Sequence, residues 1–281
     1  MDLSEYRNKQ SEQMRISDLL NLVPISGKSA LDVGASDGYI SKLLTKSFKK
    51  VTALDLDKPD ISHSQVHCVR GDITSLEFPD NYFDLVLCAE VLEHLPQSHL
   101  AKACSELARV VKSYVLIGVP YKQDIRVGRT TCSACGKINP PWGHVNVFDE
   151  ERLKNLFASL EVGKIAYVGR DDTRTNCISS FLRDLAGNPY GTYAEGEVCG
   201  HCGAKLTNPP ARNALQKVFS KSAFYVDGIQ KVLFSPTPHA HWIHILFLKP
   251  DGLRDISPVS QRHSGMAKNP ESGCSGGYGS L

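Results

Sequence analysis

The chain has 281 residues, a formal net charge of +2, and 41% hydrophobic and 22% charged residues. That is apolar material for one buried core, or one core with an inserted subdomain. No run is long and apolar enough to span a membrane. The start, Met1-Asp2-Leu3-Ser4-Glu5, lacks a signal-peptide pattern, so a cytoplasmic protein with reduced thiols is expected. Near-neutral charge, with only the mildly basic helix end from Lys46 to Lys50, leaves no electrostatic footprint for nucleic acid.

In chain order, Leu3 to Leu22 reads as a helix, and residues 1–24 as a helical cap on an active-site edge. Ala30 to Val33 is a short apolar run that stops at a loop with two glycines, Gly34 and Gly38. Ile40, Leu43 and Leu44 then recur at helical spacing, so the segment reads strand, tight turn, helix. Such a turn at the end of a parallel strand is where doubly wound folds bind nucleotides. The pattern Asp32-x-Gly34-x-x-x-Gly38 departs from the dinucleotide fingerprint. Its middle glycine is missing, and Asp37 at the helix start would repel a pyrophosphate. Asp32 suits a ligand with an ammonium group and no phosphate, which fits S-adenosylmethionine.

Val51 to Leu54 is a second strand ending in Asp55, 55 − 34 = 21 positions after Gly34. That is close to the roughly 20 expected for an acid holding ribose hydroxyls. A third strand, Val66 to Arg70, leads into Gly71-Asp72-Ile73, where Asp72 can accept from an adenine amino group and Ile73 can cover the ring. A fourth, Phe83 to Cys88, runs into Ala89-Glu90-Val91-Leu92-Glu93-His94-Leu95.

With these strand ends in order, the chain resembles the class I S-adenosylmethionine-dependent methyltransferases, in particular the branch with an "EVLEHL" segment after strand four. The resemblance covers Ala30 to Pro120 well and the rest to Lys249 loosely. It implies an α/β, doubly wound, Rossmann-like sheet of seven strands with strand seven antiparallel. It further implies that Asp32, Gly34 and Gly38 line the methionine end, that Asp55 takes the ribose, and that Asp72 and Ile73 flank the adenine. Ala35, Leu56 and Ala89 complete the implied cofactor set. Ser36 departs from the family's usual glycine and predicts altered loop geometry with binding retained.

Tyr114 to Val119, closed by Pro120, is a fifth strand, and a helix starts at Asp149 as N-cap. Ile165 to Val168 and His241 to Leu248 are strands six and seven. Two Cys-x-x-Cys-Gly knuckles, Cys132/Cys135 and Cys199/Cys202, fall in the loops after strands five and six. These loops leave the sheet at the same carboxyl edge. Four thiolates so spaced suit one structural zinc ion with no open coordination position. The domain reading is therefore a methyltransferase domain over 25–250, whose insertions at about 121–147 and 171–237 form a zinc-clamped lid. The stretch 171–237 is otherwise weakly patterned, with a short amphipathic helix at Ala214, Leu215, Val218 and Phe219. Residues 251–281 read as a disordered tail, rich in Gly, Ser and Pro. Cys68, Cys88 and Cys104 read as small hydrophobes.

Candidates for methyl transfer are Glu90, Glu93, His94, His144, His239 and His241. Glu90, Glu93 and His94 stand at i, i+3 and i+4, which predicts one shared helical face. With His144 they form a set able to hold a divalent ion and acidify a hydroxyl, an arrangement similar to small-RNA 2′-O-methyltransferases and some quinone O-methyltransferases. His144 as a metal-free base or substrate contact, with Glu90 and His94 orienting the cofactor, is the other reading. Three functions stay open: O-methylation of a small-molecule or glycan-type acceptor, RNA methylation, and a zinc-stabilised binding module without catalysis. Charge favours the first.

Overall fold

The computed structural model describes residues 7–24, 26–194, 196–209, 211–234 and 237–250. The expected tail, and the first part of the expected N-terminal helix, lie outside these residues. A seven-stranded sheet forms the centre, in the order β3-β2-β1-β4-β5-β9-β8. Its strands are β1 (Gly27–Val33), β2 (Phe48–Asp55), β3 (Val66–Arg70), β4 (Phe83–Ala89), β5 (Val111–Pro120), β8 (Glu161–Val168) and β9 (Trp242–Leu248). The first five run parallel, and β9 is antiparallel to both β5 and β8. β5 and β8 therefore point the same way and release their loops at one edge. The order turns back between β1 and β4, which opens a crevice at the carboxyl ends of the strands.

The central strands are apolar on both faces because helices cover both. Alternation divides their side chains. Leu85, Leu87 and Leu116 pack with Leu19 of α1 (Gln10–Asn21) and Leu44 of α2 (Tyr39–Leu44). Val86, Val115 and Ile117 pack with Leu100 and Leu107 of α3 (Gln97–Val110) and Leu153 of α4 (Glu150–Leu156). The expected cap of α4 is made: Asp149 accepts from the Arg152 N–H at 2.8 Å. α1 lies tight on β5 and β9. A Cβ on Gly118 would sit 3.3 Å from Leu19, and Asp18 pairs with the buried His244 at 2.7 Å. No helix among the described residues is long and apolar enough to cross a membrane.

The loop after β5 carries a short hairpin, β6 (Thr130–Thr131) and β7 (Ile138–Asn139), around the first cysteine knuckle. Between β8 and β9 lie two helices, α5 (Cys177–Leu185) and α6 (Ala214–Leu233). Asn176 caps α5, and Asn213 with Gln216 forms a capping box on α6. α6 is far longer than the turn or two expected. Its apolar residues keep helical spacing through Tyr225, Ile229 and Val232, and no proline intervenes before Pro236. The pair is joined by an Arg183–Asp227 ion pair, with the Thr175 hydroxyl donating to the same carboxylate at 3.0 Å.

The "EVLEHL" segment is not the helix the spacing predicts. Only Leu92–His94 forms a turn, of 3₁₀ type, and Glu90 lies outside it at φ 57°. Pro96 holds Leu95 extended (ψ 137°), so no helix can run through the segment and the next starts at Gln97. Glu90, Glu93 and His94 do not share a helical face.

Candidate active site

A cavity of ≈ 580 Å³ opens at the carboxyl edge, between the glycine loop, the β4 end, α1 and the first insertion. The glycine loop forms one wall. Gly34 (φ 77°) is closed over by Val91, whose Cγ2 would lie 2.3 Å from any added Cβ. Gly38, at φ 73°, starts α2. Asp32 is buried and accepts from the Ser41 hydroxyl at 2.5 Å. Burial pushes its carboxyl up to about 6. Asp55, at the end of β2, accepts from the backbone N–H of Ser36 (2.9 Å) and of Leu56 (2.7 Å). Ser36 takes φ 47°, a left-handed geometry that glycine would adopt without strain.

Asp32, Gly34, Ala35 and Ala89 line the cavity, whereas Gly38, Asp55, Leu56, Asp72 and Ile73 lie beyond its lining. Leu56 is open to solvent, and Ile73 packs into the core. The Asp72 carboxylate accepts from Thr74 N–H at 2.8 Å, which holds it below its ordinary range.

The opposite wall comes from the turn after β4 and from the insertion. The Glu93 carbonyl accepts from Val145 and Asn146 N–H at 2.8 and 3.1 Å. The buried Asn146 amide donates to the carbonyls of Leu92 (2.9 Å) and Leu95 (2.6 Å). These bonds bring His144 beside the turn. One donor atom each of Glu93, His94 and His144 lies within 4.8 Å of the others. Glu93 is fully buried, and neither of its carboxylate oxygens has a partner among the described residues. Desolvation, then the neighbouring Glu90 charge, hold its carboxyl well above the usual range. Burial and the His94 ring push His144 down to about 4. Gln123 Oε1 lies 2.8 Å from His144 Nδ1, a contact that suits the tautomer with hydrogen on Nδ1 and a lone pair on Nε2.

Glu90 stands apart from this trio. It accepts from the Trp242 indole at 3.3 Å and faces Arg15 of α1 at 4.0 Å; burial pushes it up to about 7. Arg15 is held in turn by Glu12 at 2.8 Å. His241 stacks on Trp242 at 3.8 Å and lines the cavity, while His239 turns towards Tyr121 and lies off the lining. Trp142, at φ 52°, projects half-exposed beside His144. Glu12, Arg15, Gln123, Asn146 and Trp242 escaped sequence reasoning. Only Asn146, two positions after His144, carried a local hint.

Behind this wall the two knuckles meet. Cys132 Sγ is 3.7 Å from Cys202 Sγ, Cys135 Sγ is 3.7 Å from Cys199 Sγ, and all four lie within 4.8 Å. A tetrahedron of sulfurs about 2.3 Å from zinc has edges of about 3.8 Å. Both knuckles turn alike: Gly136 and Gly203, at φ 70° and 71°, donate to the carbonyls of Cys132 and Cys199. The insertions are laced further by Gly200 N–H to Asn139 and Thr131 N–H to the Tyr193 hydroxyl, both at 3.0 Å.

Residues 31–117 match the family model of a methyltransferase domain. The ubiquinone biosynthesis O-methyltransferase of Chromobacterium violaceum is 33% identical over 97 residues, covering 30% of this chain and 41% of that protein. Its namesake from Albidiferax ferrireducens is 26% identical over 112 residues, covering 36% and 44%. The chain thus spans under half the length of these relatives. A candidate methyltransferase from Bacillus halodurans shares the fold, with a TM-score of 0.54, 17% identity and coverage of 84% of this chain and 98% of that one. Residues 31–117, under a third of the chain, are thus similar to a methyltransferase domain.

Proposed function

We propose that the chain is an S-adenosylmethionine-dependent O-methyltransferase acting on a small hydroxyl-bearing acceptor. The cofactor, when bound, supplies an electrophilic methyl group on a sulfonium. Asp32 suits its amino-acid end, because a buried carboxylate welcomes an ammonium, and Gly34 and Ala35 line the same cavity. Asp55, at the end of β2, suits the ribose hydroxyls, and Asp72 suits the adenine amino group, while Ile73 serves the core instead of covering the ring. The observation that carries the acceptor class is the Glu93–His94–His144 cluster on the facing wall. His144 is neutral at pH 7, so its Nε2 can take a proton from a hydroxyl. The ubiquinone biosynthesis O-methyltransferases among the relatives favour a small acceptor of this kind.

A second reading of the same cluster is a divalent ion held by Glu93, His94 and His144. The unpartnered Glu93 oxygens favour it, because a buried carboxylate without a donor is costly unless a cation faces it. When bound, the ion would act as a Lewis acid towards the acceptor oxygen. Glu90 belongs to the Arg15–Trp242 network and is not one of its ligands in this reading. Structural zinc on Cys132, Cys135, Cys199 and Cys202 completes the proposal.

The test is release of S-adenosylhomocysteine with phenolic, sugar-hydroxyl and RNA acceptors, with and without added magnesium. Turnover on a small hydroxyl acceptor, lost in His144→Gln and Glu93→Gln, is expected. Salt-dependent turnover on RNA alone would overturn the acceptor class. Tight cofactor binding with no turnover on any acceptor would favour a binding module.

A further inference from the structure

Trp142 is held in place from the far insertion. Its backbone is left-handed (φ 52°), a conformation that a bulky residue keeps only where its neighbours impose it. The turn from Pro140 to His144 makes two bonds of its own: Gly143 N–H donates to the Pro140 carbonyl at 3.3 Å, and His144 N–H to the Pro141 carbonyl at 2.9 Å. Neither uses the Trp142 N–H. That donor reaches the Thr192 hydroxyl, at 3.3 Å, in the insertion between β8 and β9. The same hydroxyl donates to Glu197 Oε2 at 3.3 Å. A hydroxyl carries one hydrogen and two lone pairs, so it accepts from one partner while donating to the other.

Glu197 stands at the base of the second cysteine knuckle. Its carbonyl accepts from Leu206 N–H at 2.9 Å, Val198 bridges to Lys205, and Cys199 N–H donates to the Ala204 carbonyl at 2.8 Å. Its Oε2 also accepts from Ala194 N–H at 2.9 Å, which aims the carboxylate at Thr192. Packing closes the joint. A Cβ on Gly128 would lie 3.2 Å from the Thr192 methyl and 3.3 Å from Pro141, and the Thr192 N–H donates to the Gly128 carbonyl at 3.0 Å. Lacing the insertions together does not need the hydroxyl, because Tyr193 and Asn188 already tie the same segment to Thr131 at 3.0 Å each. We propose that Thr192 is a positioning residue: its hydroxyl carries the placement of the second knuckle to Trp142, and so sets how tightly the acceptor is held. Thr192 lies off the cavity lining, whereas Trp142 and His144 are on it, so Thr192 acts through the indole.

Trp142 is one of two tryptophans, so fluorescence anisotropy in a Trp242→Phe background reports it alone. Thr192→Val keeps the methyl beside Gly128 and Pro141 and removes the hydroxyl. The expected result is faster local depolarisation of Trp142 with unchanged far-ultraviolet circular dichroism. Thr192→Ser should restore the slow depolarisation. Adding Glu197→Ala to Thr192→Val should change nothing further, since both cut one relay. With Trp242 native, on the phenolic or sugar-hydroxyl acceptor that the wild type methylates, Thr192→Val should raise KM about fivefold, the worth of one hydrogen bond. kcat and S-adenosylmethionine affinity should hold. Unchanged depolarisation in Thr192→Val, equal loss in Thr192→Ser, or additive loss with Glu197→Ala overturns the proposal, and so does a loosened indole with unchanged KM. Only the KM readout rests on the O-methyltransferase reading. Absence of turnover on every acceptor would count against that reading, while the anisotropy, which needs no acceptor, still decides whether Thr192 holds Trp142.

Discussion

The two walls of the cavity are held by different means. The glycine-loop wall ends strands that are buried on both faces, and its stability is that of the central core. The facing wall hangs from insertions whose own apolar cluster is small: Cys132, Cys199 and Leu206, with Tyr193 and Ala204 beside them. Four sulfurs and a lattice of polar bonds do there what methylene groups do in the sheet. The difference teaches that cofactor binding and acceptor positioning rest on separate stabilities, so each can fail without the other.

The largest expected effect breaks the insertion alone. Cys132→Ser, or removal of metal with a chelator, should cost the insertion about 4 kcal/mol, the order expected for opening a loop of this length. Hydrogen exchange checks it: amides around Cys132 and Cys199 should exchange freely while those of β4 and β5 stay protected. Simultaneous loss of protection in the sheet would show one cooperative unit instead of two.

On the other wall, Asp55→Ala should weaken cofactor binding roughly 30-fold, the worth of hydrogen bonds to a charged group, with the four-cysteine site intact by metal analysis. Calorimetric titration with S-adenosylmethionine measures it, and a change in metal content would blur the separation.

A smaller effect has an unusual sign. The folded-state carboxyl of Asp32 is raised from 3.8 to about 6, so its contribution to stability is fully present below pH ~4 and is lost as pH rises to ~6. Asp32→Asn should therefore raise stability by roughly 1–2 kcal/mol at pH 7, leave it unchanged near pH 4, and weaken cofactor binding. Thermal melts of the two proteins across this pH window decide it. The smallest effect belongs to the insertion again: Trp142→Gly should relieve about 1 kcal/mol of left-handed backbone strain while raising KM for the acceptor and sparing cofactor affinity.

What the sequence made legible follows the same division. The strand ends at Asp32, Asp55 and Asp72 could be read because a parallel strand and its turn are written in consecutive residues. The knuckles could be paired because two loops at one sheet edge must be neighbours. The Glu93–His144 meeting could only be guessed, since the bonds that make it, from Asn146 to Leu92 and Leu95, join positions some fifty residues apart. Glu12 and Arg15 gave no sign, because a polar pair on an N-terminal helix looks solvated until the helix is docked. The "EVLEHL" helix is broken at its start by the left-handed Glu90 and cut off at its end by Pro96, neither of which spacing alone weighs.

Ser36, Glu90 and Trp142 all hold left-handed backbones, and all three line the cavity. Each would be more comfortable as glycine. Glycine at these positions would relieve that strain and strip side chains from both walls. Backbone ease and a furnished pocket therefore pull these three positions in opposite directions.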